Sequence, residues 1–143
     1  MANEELVSAP QRPFSFALPP SASRLRDFRR ALTEWLRENA IEPSLRTDLL
    51  IAAHEAVANA IEHAGSRAEI QVRANVDGGF LHIEVQDKGT WKHPTTERAY
   101  ERGRGLALIA ALVSESQITH NGRGTTLRIS QIIPNRQTPT GDA

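Results

Sequence analysis

Apolar and polar positions alternate in some stretches of this chain and recur at helical spacing in others. Phe14 to Leu18 alternates large and small residues, which predicts a short strand. A Pro-Pro-Ser break follows, and Ser21 or Ser23 stands where a helix cap is needed. Leu25, Phe28, Leu32, Trp35 and Leu36 then recur every three to four residues, with Arg26, Arg29, Arg30 and Arg37 between them. That spacing predicts an amphipathic helix ending near Asn39. Glu42-Pro43-Ser44 restarts the chain, with Ser44 as the expected cap. A second helix carries Leu45, Leu49, Ala52, Ala53, Ala56, Ala60 and Ala64 on its packing side and stops at Gly65. So many alanines would let it lie close against a sheet.

Two strictly alternating runs, AEIQVRANV and FLHIEVQD, flank Asp77-Gly78-Gly79 and predict a β-hairpin. From Asp87 to Gly105 no period holds, and Gly, Pro, Thr and charged residues mix as in a long loop. Loops of that length inside small domains are usually functional or disordered. LALIAALVS predicts a third helix, and SQITH, the turn NGRG and TTLRISQII predict a second strand pair. The order β-α-α-β-β-loop-α-β-β implies an α/β two-layer sandwich, with helices on one face of a mixed, largely antiparallel sheet. One domain is expected over residues 14–133, between a flexible N-terminus (1–13) and a disordered tail (134–143).

The bulk composition narrows the function classes. Lys plus Arg and Asp plus Glu both total 17 in 143 residues, so the formal charge is zero. Nucleic acid or an anionic membrane as main partner would favour a basic excess. The chain has no cysteine, which excludes disulfides and thiolate metal sites and suits a reducing cytoplasm. The first residues lack the basic start and apolar core of a signal peptide, and no apolar run reaches membrane-spanning length. A cytoplasmic domain is expected.

Most familiar nucleotide and metal motifs are missing. The chain's lysines, Lys88 and Lys92, follow no glycine-rich strand-to-helix turn, so there is no P-loop. His54-Glu55 begins like a zinc-protease motif, but Ala58 stands where the second histidine should be. Four short features remain, in a definite order. Glu55 and Asn59 lie one turn apart on the second helix, with His63 one turn further. Asp87-x-Gly89 ends a strand, Gly103-x-Gly105-Leu106 opens a helix, and Gly124-Thr125-Thr126 opens the last strand.

Each feature alone is more often a solvated face or a turn. Together their chemistry is coherent. A helix-borne Glu can accept a proton from a hydroxyl nucleophile, and an Asn carbonyl can serve Mg2+, which favours oxygen ligands. An Asp at a strand end can accept a hydrogen bond from an exocyclic amine such as that of adenine. Glycines at a helix N-terminus let backbone N–H groups approach phosphate. Arg98, Arg102 and Arg104 concentrate positive charge in the same loop. One nucleotide-shaped ligand would explain all four.

EAVANAIEHA, DKG, GRGL and GTT resemble, in that order, the N, G1, G2 and G3 boxes of the GHKL superfamily, whose ATP-binding unit is the Bergerat fold. The resemblance spans about Phe14 to Ile133 and is greatest to the small bacterial anti-sigma-factor serine/threonine kinases. It implies that Glu55 is the general base and that Asn59 binds Mg2+. It also implies that Asp87 reads adenine with Thr125 or Thr126 beside the base. Gly89, Gly103 and Gly105 would shape the pocket and the phosphate end of the lid, next to Leu106 and a lid arginine at Arg102 or Arg104. His63 would pack or position.

By the same resemblance the cofactors are ATP and Mg2+, and the reaction is transfer of a phosphoryl group to Ser or Thr of a STAS-type anti-sigma-factor antagonist. A sigma factor would be the sequestered partner, the chain a homodimer, and Arg26 on the first helix part of a docking surface. One departure stands out: Trp91 occupies the place of the second glycine of the G1 box. The rival reading is a nucleotide-gated sequestering module without kinase activity. A histidine-kinase fragment would need a phosphoacceptor helix pair before Glu55, where the pattern fits one strand and one helix. A gyrase- or chaperone-type ATPase would need a further domain, and a purely structural domain leaves the four boxes unexplained.

Overall fold

The computed structural model describes residues 12–63, 68–88 and 105–134, with the side chain of His63 outside that set. Strand β1 is Phe14–Leu18, and a single 3-10 turn, Ala22–Arg24, leads into helix α1, Leu25–Glu38. Helix α2 is Pro43–His63, followed by strands β2 (Ile70–Asp77) and β3 (Phe80–Asp87). Residues 105–112 form helix α3. Strands β4 (Glu115–Asn121) and β5 (Gly124–Ile132) close the fold. The sheet order is β1-β2-β3-β5-β4, and each of these pairings is antiparallel.

Strand alternation sorts the side chains between two faces. Val72 and Ala74 of β2, Leu81, Ile83 and Val85 of β3, and Leu127 and Ile129 of β5 are buried on the helix side. Their neighbours Arg73, Glu84, Gln86 and Arg128 stand on the opposite side, which is free of helices among the described residues. Phe28, Leu32, Trp35 and Leu36 of α1 cover the β1 end of the sheet. There Phe14 lies 5.8 Å from Trp35 and 6.3 Å from Phe28 between ring centroids, and Trp35 Nε1 donates 2.7 Å to the Arg12 carbonyl. The aromatic cluster therefore ties the edge strand to the first helix.

Helix α2 packs beside α1 and directly on β2 and β3, which explains its composition. Leu49, Ala52, Ala53, Ala56, Val57 and Ala60 are all buried, and small side chains let the backbone approach β-strands closely. The start of α2 differs from expectation. The helix begins at Pro43, where a missing N–H costs nothing, and the Glu42 carbonyl accepts the first helical bond from Arg46 N–H at 2.9 Å. Ser44 therefore sits inside the first turn, and its hydroxyl donates 2.7 Å to the Glu42 carboxylate instead of capping. The expected stop at Gly65 lies outside the described residues. No helix among them is long and apolar enough to cross a membrane.

The end of α1 carries a measurable strain. Ile41 N–H reaches the Leu36 carbonyl at 3.1 Å and Ala40 N–H the Arg37 carbonyl at 2.9 Å, the paired bonds of a Schellman motif. That geometry puts Ala40 at φ 56°, where a Cβ is unfavourable by about 1–2 kcal/mol. Replacing Ala40 by Gly relieves it against the extra freedom glycine brings to the unfolded chain, a loss of roughly 0.5–1 kcal/mol. The expected result is a net gain of about 0.5 kcal/mol, read as a higher midpoint in urea at unchanged slope.

Candidate functional site

Helix periodicity and strand alternation deliver the polar residues to the same side of the sheet. Glu55 and Asn59 rise one turn apart on α2, and Gly105, the first described residue of α3, approaches them. A Cβ built on Gly105 would lie 3.2 Å from both Asn59 Nδ2 and Asn59 Oδ1, and 3.4 Å from Glu55 Oε1. An added methyl would make Asn59 give by a few tenths of an ångström, while its distance from Glu55 is ordinary van der Waals contact. Glu55 is half-buried. Asn59 is 7% exposed, and its Nδ2 has no hydrogen-bond partner among the described residues. An unpaired buried amide costs about 1–3 kcal/mol, so this position is one where a bound group would restore what folding leaves unmade.

A second group lies at the ends of the central strands. Asp87 closes β3, and the register pairs it with Thr125 of β5, which in turn pairs with His120 of β4. All three stand in the same cross-strand row. The preceding row, Val85, Leu127 and Ile118, is apolar. The core thus gives way to polar side chains at this end of the sheet, on the helix side. Asp87 is 4% and Thr125 2% exposed. Thr125 Oγ1 and His120 Nδ1 are 3.1 Å apart.

The β4–β5 turn holds this row in place. Asn121 Oδ1 accepts from the N–H groups of Arg123 (2.7 Å) and Gly124 (2.9 Å), so the turn is closed by its own first side chain. A Cβ on Gly124 would stand 2.0 Å from the Asp87 carbonyl oxygen. Glycine at this position is what allows β5 to start against the end of β3.

The structure separates residues that the sequence left together. Thr125 faces Asp87, whereas Thr126 pairs with Gln86 and points to the opposite side. A cleft of about 560 Å³ there is lined by Gln71, Gln86, Arg123 and Thr126 and reaches Asp87 and Gly124 at the strand ends. Of the two threonines, the one beside Asp87 is Thr125, and Thr126 stands on the other face. Leu106 is partly buried against the hydrophobic core and anchors α3 by packing. Gly89, Gly103 and Arg104 lie outside the described residues, as do Trp91, Arg98 and Arg102.

His120 is the member of the polar row that sequence reasoning did not single out. A signal existed: in a hairpin turning at Asn121 to Gly124, the residues just outside the turn, His120 and Thr125, must face each other.

The arrangement offers a carboxylate and an amide on one helix, a helical glycine, Gly105, close against them, and a buried Asp–Thr pair where a base edge could be read. Comparison with known proteins places the domain as a whole. The model of the histidine kinase-like ATPase domain matches residues 18–131. The crystal structure of the RsbU and RsbW domains of Rv1364c from Mycobacterium tuberculosis superposes with a TM-score of 0.73 at 31% identity. That match covers 87% of this chain and 33% of the other, so the chain spans about a third of that protein's length. The SiaB–SiaC complex from Pseudomonas aeruginosa aligns at a TM-score of 0.61 and 20% identity, over 90% of this chain and 95% of that one, and bears on the fold alone. The ordered boxes, the Glu55–Asn59–Gly105 contact and the match over residues 18–131 lead to one conclusion: the chain belongs to the histidine kinase-like ATPase domain family, within the GHKL superfamily.

Proposed function

We propose that this chain is an Mg·ATP-dependent protein serine/threonine kinase that acts as an anti-sigma factor. Its substrate is a STAS-type antagonist, and in the absence of that partner it sequesters a sigma factor as a homodimer. The observation that carries the reading is the convergence of Glu55, Asn59 and Gly105 on one point. Likeness to the RsbU and RsbW domains of Rv1364c supports a role in partner switching.

In this reading Glu55 accepts the proton of the incoming Ser or Thr hydroxyl. The hydroxyl oxygen attacks the γ-phosphorus, the bond to the β–γ bridging oxygen breaks, and ADP leaves with that electron pair. The Asn59 carbonyl oxygen fits a hard divalent cation, and the remaining ligands would come from phosphate oxygens and water. When bound, Mg2+ supplies neutralisation of charge on the phosphates. The buried Asp87 carboxylate accepts from the exocyclic amine of adenine, beside Thr125. Arg26, Arg29 and Arg30 are exposed on α1 and form the docking surface for an acidic partner face.

Asp87→Asn replaces the carboxyl by an amide, and where the carboxyl binds adenine as a carboxylate that hydrogen bond to a charged group is worth about 1.5–3 kcal/mol. ATP affinity by calorimetry should therefore fall at least about tenfold, whereas an unchanged affinity would move the adenine contact elsewhere. The reading as a whole is tested with radiolabelled ATP, Mg2+ and STAS-fold proteins of the same genome. Label on Ser or Thr of one of them establishes the kinase. Nucleotide binding with no labelled protein favours the sequestering module, the reading that Trp91 at the second G1 glycine position supports.

A further inference from the structure

The row Asp87–Thr125–His120 has a hydrogen-bond polarity that can be worked out. A threonine hydroxyl has one proton to give and lone pairs to receive. Thr125 is 2% exposed and lies 3.1 Å from His120 Nδ1, so what that nitrogen does decides what the hydroxyl can do on its other side. If Nδ1 is bare, Thr125 donates its proton to it and offers only lone pairs to a ligand. If Nδ1 carries hydrogen, Thr125 accepts there and its proton is free for the ligand. Adenine presents an amine donor and, next to it, the ring acceptor N1. Asp87 suits the amine, and N1 needs a donor.

We propose that His120 is a positioning residue for base recognition: its Nδ1–H donates to Thr125 Oγ1 and commits the Thr125 hydroxyl to donate towards adenine N1. The inference rests on the nucleotide reading above and extends it to a third side chain, on the edge strand. Three observations fix the contact, and the direction of the bond is inferred from the donor that adenine N1 requires. His120 and Thr125 are direct cross-strand partners, so the contact is set by register. The Asn121 side chain closes the turn between them, which holds that register. Thr125 is buried, so its hydroxyl has little water to turn to. His120 itself is solvent-exposed on the edge strand, where exchange of the side chain is tolerated.

The test compares two ligands of equal charge, ATP and 1-deaza-ATP, in which N1 is a C–H. Their dissociation constants are measured by calorimetry for the parent chain, His120→Lys (a donor without acceptor) and His120→Glu (an acceptor). Because both ligands meet the same protein, their ratio is insulated from changes in charge and stability. The parent and the Lys variant should prefer ATP by about tenfold, one hydrogen bond or about 1.4 kcal/mol. The Glu variant should bind the two alike. Nitrogen-15 spectra of the parent should show hydrogen on His120 Nδ1.

A Glu variant that keeps the parent's preference overturns the inference, as does a bare Nδ1. Equal loss of preference in both variants would make His120 a packing residue and overturn it too. A parent that binds both ligands alike removes the inference and leaves the nucleotide reading standing. A parent that binds neither removes both.

Discussion

Glu55→Gln should lower phosphoryl transfer by about 10²- to 10⁴-fold while leaving ATP binding close to that of the parent, because it removes a proton acceptor and keeps the shape. The structural ground is the position of the carboxylate. Glu55 Oε1 lies within 3.4 Å of where a Cβ on Gly105 would be, beside α3 and one turn before Asn59. A glutamine there can still hydrogen-bond but cannot take a hydroxyl proton at neutral pH. Single-turnover transfer to the antagonist and calorimetric ATP affinity, measured side by side, separate the two effects. Full transfer activity in the variant would remove Glu55 from the base role. Loss of ATP binding instead would make it a binding residue.

The second large effect is expected at Gly124. An added methyl would sit 2.0 Å from the Asp87 carbonyl oxygen and 3.0 Å from the Lys88 Cα, and both neighbours are backbone. No side chain can swing aside, so β5 must move away from the end of β3. Gly124→Ala should therefore destabilise the fold by at least about 3 kcal/mol, lowering the melting temperature by roughly 10 °C for a chain of this size. It should also cost nucleotide affinity, since Asp87 and Thr125 are adjacent in that register. Gly122→Ala, two residues earlier in the same turn, meets nothing within 4 Å and should stay within about 0.5 kcal/mol of the parent. Equal melting temperatures for the two variants would show that the β3–β5 approach is looser than the structure describes.

These two predictions differ in how far the sequence alone could reach them. Glu55 was visible as part of a polar row on an apolar helix, because helical spacing is a local property. Gly124 stood in a turn motif of little weight by itself. Its importance comes from Asp87, which is distant in sequence and adjacent only once β3 and β5 pair.

The sequence by itself determined the elements and their sides. Alternation in FLHIEVQD and TTLRISQII dictates that Leu81, Ile83, Val85, Leu127 and Ile129 face one way, and a period-2 chain has no other means of burying them. Helical recurrence did the same for Phe28, Leu32, Trp35 and Leu36. The order of the four boxes likewise carried the family, since it requires no coordinates. Tertiary structure alone decided which residues of those boxes meet. Thr125 and Thr126 are equivalent in sequence, and only the register of β5 against β3 puts one beside Asp87 and the other on the far side of the sheet. Pro43 displaced Ser44 as the helix start because a carbonyl four residues back was available to Arg46. The contact between Gly105 and Asn59, and the place of His120 beside Thr125, follow from packing one element on another. Local propensity is blind to such contacts because their energy is gained only after the chain between the partners has been ordered.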